Sequence, residues 1–233
     1  MTLAQLKQKL HPFELTLKAH AFLEWPAMTR KEMRILKEVF LSSPSGKPIN
    51  IFEYGMGFST IYFAKFLHQN GRDFQMDSLD NNRFWYEKVA TMIRTAGLSK
   101  TVHLHLREFV PFWGKNGWDW KTEPRAGAFG PNEKAEQEYI HLPLNLNKTY
   151  DVVFVDARFR RRCLEAAFKA VNPQGFVIMH DAQKPHYQSA TKLYRYSQFI
   201  DSGKYFPFAR RKYQLWLGSP ANPLVDKIAA EFK

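Results

Sequence analysis

The sequence predicts an open, doubly wound α/β domain with a mostly parallel sheet, preceded by helices and closed by a C-terminal antiparallel hairpin. Three observations predict it. Apolar runs at residues 49–54, 74–79, 102–106, 152–155 and 175–179 alternate with stretches of helical period. Near-continuous apolar strands between helices are what a parallel sheet covered on both faces requires. The first run passes through Gly55-Met56-Gly57 straight into a helical segment at 59–68, which is how a βαβ unit opens. Three runs end at acids, in Leu79-Asp80, Val155-Asp156 and Met179-His180-Asp181. In open α/β sheets those carboxyl ends are where ligands bind.

Taken in order, Leu3, Leu6 and Leu10, then Phe13 and Leu17, recur at helical spacing, and Met33, Leu36, Val39 and Phe40 do so again after Pro26. Thr29 and Glu32 spell a capping box for the second of these helices. Residues 42–48 are a loop, 83–96 a helix that Gly97 ends, and 161–171 a helix after the fourth strand. Residues 188–200 read as helical, with 204–208 and 211–217 pairing as the hairpin. Residues 1–48 are expected to be a helical extension packed on a domain spanning 49–233. The long connection at 110–149, which carries Trp113, Trp118 and Trp120, is expected to be a substrate loop or lid.

The 233 residues are 45% hydrophobic, enough for a sizeable core, and exclude disorder over most of the chain. Cys163 is the single cysteine, so an internal disulfide and a cysteine-rich zinc site are excluded, and the cytoplasm is the expected compartment. The N-terminal stretch lacks the apolar core of about 7–15 residues that a secretory signal needs, and no run reaches the roughly 18 apolar residues of a membrane span. The formal net charge of +12 attracts anionic partners without specifying one.

Residues 53–60, Glu-Tyr-Gly-Met-Gly-Phe-Ser-Thr, are the most informative stretch. Glycines between strand and helix permit close approach of a ligand to backbone and to the free amides of a helix start. Thr60 stands where a dinucleotide fingerprint places its third glycine, which disfavours a nicotinamide cofactor. Asp80, at the end of the second strand, is placed to accept hydrogen bonds from ribose hydroxyls. Glu53, Asp80 and Asp156 together put three acids at strand ends of a basic protein, which suits a cationic ligand. S-adenosylmethionine is the cationic cofactor that fits.

These residues resemble the class I S-adenosylmethionine-dependent methyltransferases, which are Rossmann-like. The motifs E-x-G-x-G-x-S-T (53–60), S-L-D-N-N (78–82), V-D-A (155–157) and G-F-V-I-M-H-D-A (175–182) look most like the branch of small O-methyltransferases. The resemblance implies a cofactor site made by Glu53, Gly55, Gly57, Ser59 and Thr60, with the turn near the methionine portion. It implies Asp80 at the ribose, Glu108 near adenine, and Asp156 beside the methionine amino group or the substrate. Catechol-type relatives hold a divalent metal through acids matching Asp156 and Asp181 and through an Asn that is Ala182 here, so no metal site is expected beyond weak binding by those two acids.

His180 reads either as a general base or as a buried histidine bonded to Asp156 or backbone. Asp181 and Asp156 are the other candidate catalytic groups. Arg158 and Arg160, within an arginine cluster, could grip an acidic acceptor, with Tyr187 and Trp113 on the rim. His103, His105 and Cys163 read as structural. The expected function is methylation, on oxygen, of a small or glycan-like and acidic acceptor. The alternatives are a nucleic-acid methyltransferase, which the charge favours, and a noncatalytic protein that binds S-adenosylmethionine or a partner.

Overall fold

A computed structural model describes residues 26–43, 47–109, 133–203 and 213–233. Helix α1 (Arg30–Ser42) starts with the capping box that the sequence spells. Glu32 N donates to Thr29 Oγ1 at 3.1 Å and Thr29 N donates to Glu32 Oε2 at 2.7 Å. The domain then runs β1 (Ile49–Tyr54), α2 (Phe58–Gln69), β2 (Phe74–Asp80), α3 (Arg83–Thr95) and β3 (Val102–Leu106). It continues through α4 (Glu133–Asn145), β4 (Tyr150–Val155), α5 (Arg160–Ala170) and β5 (Val171–Met179). A 3-10 turn at Pro185–Tyr187, α6 (Gln188–Thr191), β6 (Tyr196–Gly203), β7 (Tyr213–Ser219) and α7 (Leu224–Glu231) complete it.

The seven strands lie in the order β3-β2-β1-β4-β5-β7-β6. The first five pair in parallel, while β7 is antiparallel to both β5 and β6. The order in which strands are added reverses between the parallel neighbours β1 and β4, the kind of switch point above whose carboxyl ends α/β sheets bind ligands. Alternate side chains of the central strands feed two cores. Ile49, Ile51, Val152, Phe154, Phe176 and Ile178 pack with Ile35, Leu36, Val39 and Phe40 of α1 and with α2, α3 and α7. Phe52, Tyr54, Val153, Val155, Val177 and Met179 face the other way, onto α4 and α5. Among the described residues, no helix is long and apolar enough to cross a membrane.

Two segments depart from expectation. The helix expected over 188–200 stops at Thr191, and Tyr196–Gly203 is instead the edge strand paired with β7. Backbone pairing with β7 outweighs a weak helical pattern, since an unpaired β7 would leave its amides and carbonyls without partners. The segment 204–208, expected as the hairpin's first strand, lies outside the described residues. Helix α4 falls inside the stretch expected to be a lid, and its buried residues Glu136, Tyr139, Ile140 and Pro143 follow helical spacing. Tyr54 Oη donates to the Ile140 carbonyl at 2.6 Å, which ties α4 to the central strand.

Asp77 of β2 is 3% exposed and gathers His105 Nε2 at 2.9 Å, Lys148 Nζ at 3.0 Å and the donating Tyr150 hydroxyl at 3.3 Å. Burial pushes its pKa up, but hydrogen bonds from His105 and Lys148 outweigh that and hold it below the ordinary value. The carboxylate therefore stabilises the fold fully above its unfolded pKa of about 3.9, and this contribution is lost as pH falls through the lower native value. Asp77→Asn is expected to cost about 1–3 kcal/mol at neutral pH and less in acid. Urea unfolding of the two proteins between neutral and acid pH measures the convergence, and parallel curves would show that Asp77 is not the linked group.

Candidate active site

The site is built on the turn after β1. Gly55 has φ +90°, and a Cβ there would lie 2.2 Å from the Asp156 carbonyl oxygen. Its amide donates to the Leu79 carbonyl at 2.8 Å, Asp156 N donates to Tyr54 O at 2.9 Å and His180 N to Val155 O at 3.0 Å. The ends of β2, β1, β4 and β5 are thus laced together by backbone. Gly57 is different: a Cβ there would meet nothing within 4 Å, so protein packing does not demand glycine. The open space beside it, next to the start of α2, leaves room for a ligand against bare backbone.

Glu53 lies fully buried under this turn. Ser59 Oγ and Ser78 Oγ each donate to it at 2.6 Å, and the Thr60 hydroxyl donates as well. Thr60 Oγ1 in turn accepts from Gly57 N at 3.0 Å. Burial raises the Glu53 carboxyl to about 7 despite these three hydroxyls. The polar atoms of Glu53, Ser59 and Thr60 therefore satisfy one another and fix the shape of the turn.

Asp80 closes β2 and is 8% exposed. Its Oδ1 accepts from Asn82 N at 2.7 Å, while Asn82 itself caps α3 through the amide of Phe84. Burial raises Asp80 to about 6, against the backbone bonds and the nearby charge of Arg158. Glu108 lies beyond the end of β3 in a two-pronged pair with Arg83, at 3.0 and 2.6 Å, with both side chains at least half exposed.

On the other side of the switch, Asp156, Arg160, His180, Asp181 and Tyr187 come together, and Glu32 joins them from α1. His180 Nδ1 lies 3.2 Å from Asp156 Oδ1 and its Nε2 lies 3.5 Å from Glu32 Oε2. Arg160 Nη2 pairs with Asp156 Oδ1, and Nη1 lies 3.5 Å from Asp181 Oδ2. Tyr187 is buried, its ring centroid 5.9 Å from the Arg160 guanidinium carbon. Burial opposes charge on His180, but Asp156, Asp181 and Glu32 outweigh it and raise its pKa well above the ordinary value. Burial would raise Asp156, but His180 and Arg160 hold it well below the carboxylate range. Phe159 and Asp181, with φ 55° and 54°, sit in the left-handed region, at a cost of about 1–3 kcal/mol each.

Arg158 lies on the Asp80 side, close enough to lower that carboxyl. Trp113 lies outside the described residues. His103 and His105 bond to Gln75 and Asp77 across β2, and Cys163 is buried. Glu32 is the member that sequence reading does not reach, because its capping-box role already accounts for it. Asp156 and Asp181, the two acids expected at most to bind a metal weakly, are engaged with a cation of the chain itself. Both carboxylates face Arg160, and the position of a third ligand is Ala182.

Residues 52–182 match a family model described as a methyltransferase domain. No curated protein sequence matches. Several solved structures share the fold. The O-methyltransferase TomG of Streptomyces achromogenes, involved in tomaymycin synthesis and solved with S-adenosylmethionine, is 16% identical, with TM-score 0.50 and 91% of each chain covered. A Staphylococcus aureus protein, provisionally described as a caffeoyl-CoA O-methyltransferase, is 12% identical, with TM-score 0.52, covering 93% of this chain and 97% of its own. The CMeT domain of the citrinin polyketide synthase is 11% identical, with TM-score 0.50 over 81% of this chain. The chain spans about half, 51%, of that structure's length.

Proposed function

Because the chain belongs to the methyltransferase-domain family, with the class I fold, we propose that it transfers the methyl group of S-adenosylmethionine to an oxygen of a small, acidic acceptor. The observation that carries the reading is the open space beside Gly57, flanked by the acids Asp80 and Asp156 at the point where the strand order reverses. The cofactor supplies an electrophilic methyl carbon when bound. The chain's own part is alignment of the acceptor oxygen in line with that carbon and exclusion of water. Asp80 accepts from ribose hydroxyls, and Gly55 and Gly57 keep side chains out of the cofactor's path.

His180, already protonated at neutral pH by its carboxylate neighbours, serves as a fixed cation and not as a base. The Asp156 side chain is 26% exposed at the end of β4, so it is the group that accepts a hydrogen bond from the acceptor. With its pKa held low it is a weak base, which selects an acceptor that gives up its proton readily, such as a phenol, an enol or a carboxylic acid. The net charge of +12 favours acceptors that carry a negative group away from the reacting hydroxyl.

Calorimetric titration with S-adenosylhomocysteine tests the site. Asp80→Ala is expected to weaken binding by about 10- to 100-fold, the effect of losing a charge-assisted hydrogen bond or two. Asp80 must be ionised to accept both hydroxyls, so wild-type affinity should be full above about 6 and fall as pH drops below it. Asp80→Asn should flatten that dependence. Folded wild-type protein, freed of any copurified ligand, that shows no heat with S-adenosylhomocysteine would overturn the cofactor assignment.

A further inference from the structure

The carboxylates of Asp156 and Asp181 share one guanidinium. We propose that Arg160 is a built-in counter-cation occupying the place between Asp156 and Asp181 that a divalent metal would need, so that this site works without one and its acceptor is held by Asp156 alone. The part that concerns methyl transfer rests on the function proposed above, whereas the occupancy of the carboxylate pair does not.

Every nitrogen of the guanidinium is engaged. Arg160 Nε donates to the Ala157 carbonyl at 3.2 Å, Nη1 donates to the His180 carbonyl at 2.8 Å while facing Asp181, and Nη2 donates to Asp156 Oδ1. The residue is 9% exposed. Its ends are therefore fixed to the loops after both β4 and β5, the two loops that carry the acids. Asp156 Oδ1 also faces His180 Nδ1, so this oxygen already meets two cationic side chains.

The local backbone is bent to put this cation there. Arg160 is the first residue of α5, where the helix dipole disfavours positive charge. Phe159 before it is held in the left-handed region, as is Asp181 on the opposite loop. An exposed arginine would need neither arrangement. The third ligand position offers nothing to a metal either, since Ala182 has only a methyl group and its amide donates to the Gln214 carbonyl at 2.7 Å. A divalent ion entering here would shed water to bind two carboxylates and would strand a buried guanidinium, and breaking a buried pair is strongly unfavourable.

The consequence concerns the acceptor. A metal-bridged site favours acceptors that chelate through two neighbouring oxygens. A guanidinium whose three nitrogens are each bonded within the protein offers no such preference, so a single hydroxyl oxygen directed at Asp156 suffices.

Manganese supplies the probe, because bound and free ion are separable by electron paramagnetic resonance and the ion stabilises any protein that binds it. Wild-type protein titrated with millimolar MnCl2 is expected to bind none at this site, and its melting temperature should match that in EDTA. Arg160→Ala uncovers the acid pair and should melt lower in EDTA, then recover by about 2–4 °C or more with Mn2+, with signal loss that Asp181→Asn abolishes in the double variant. Manganese binding by the wild type that Asp181→Asn removes would overturn the proposal, as would a folded Arg160→Ala with no response to Mn2+. If Arg160→Ala does not fold, Arg160→Met keeps the stem, and the wild-type titration decides by itself. Calorimetry with S-adenosylhomocysteine on the same samples separates this result from failure of the cofactor assignment, since manganese binding is read without turnover.

Discussion

Gly55→Ala is expected to destabilise the protein by about 3–5 kcal/mol and to abolish cofactor binding. Two costs combine. At φ +90° an alanine pays for a conformation that L residues avoid, about 1–2 kcal/mol. The added carbon also falls 2.2 Å from the Asp156 carbonyl oxygen and 2.8 Å from its carbon, and backbone atoms have no rotamer into which they can retreat. Relief requires β1 and β4 to part at their carboxyl ends, which pulls Asp156 away from Arg160 and His180. Gly57→Ala is the control: φ is −175°, an extended geometry open to any residue, and nothing lies within 4 Å of the new carbon. It should unfold in urea as wild type does and yet lose affinity for S-adenosylhomocysteine. Equal stability of the two variants would show that the Gly55 contact relaxes freely.

Asp156→Ala should cost about 3–5 kcal/mol of stability together with all methyl transfer, because it leaves two buried cations facing each other without their shared anion. Arg160 keeps the more distant Asp181, at 3.5 Å, and His180 keeps the charges of Asp181 and of Glu32, the latter also at 3.5 Å. The sign of the accompanying pH effect follows from His180. A histidine whose native pKa is raised stabilises the fold fully below its unfolded pKa of about 6.5, and that contribution fades as pH climbs through the native value. Wild-type stability should therefore decline on the alkaline side, and Asp156→Ala should lose most of that decline. Imidazole NMR resonances followed against pH would report the His180 pKa moving down in the variant, and an unmoved resonance would mean that Asp156 does not hold the proton.

Much of this architecture is legible in the residues because local and global signals agree. The turn at Gly55-Met56-Gly57 is readable since strand, glycines and helix follow without interruption, and the acids that end β2, β4 and β5 sit where their strands stop. What is not legible depends on partners distant in sequence. Glu53 reads as a member of a ligand-facing acid trio, but only the fold shows that Ser59, Thr60 and Ser78 surround it. Arg160 reads as a rim residue for an acidic acceptor, whereas the left-handed Phe159 turns it inward onto Asp156. Helix α4 hides behind Pro143, which sits inside it near its end, and β6 hides because an edge strand gains its hydrogen bonds from a neighbour and not from its own pattern.

The carboxylate of Glu32 joins the start of α1 to the end of β5, a contact that spans most of the chain. During synthesis α1 and the β1–β3 half of the sheet emerge long before His180 does, so Glu32 first exists as a helix cap alone. Until β5 is laid beside β4, the nascent chain carries this acid, due for complete burial, without the imidazolium that faces it. The site is thus a late product of folding, closed by an interaction of high contact order, and a ribosome-bound chain truncated before β5 should retain a helix cap but no site.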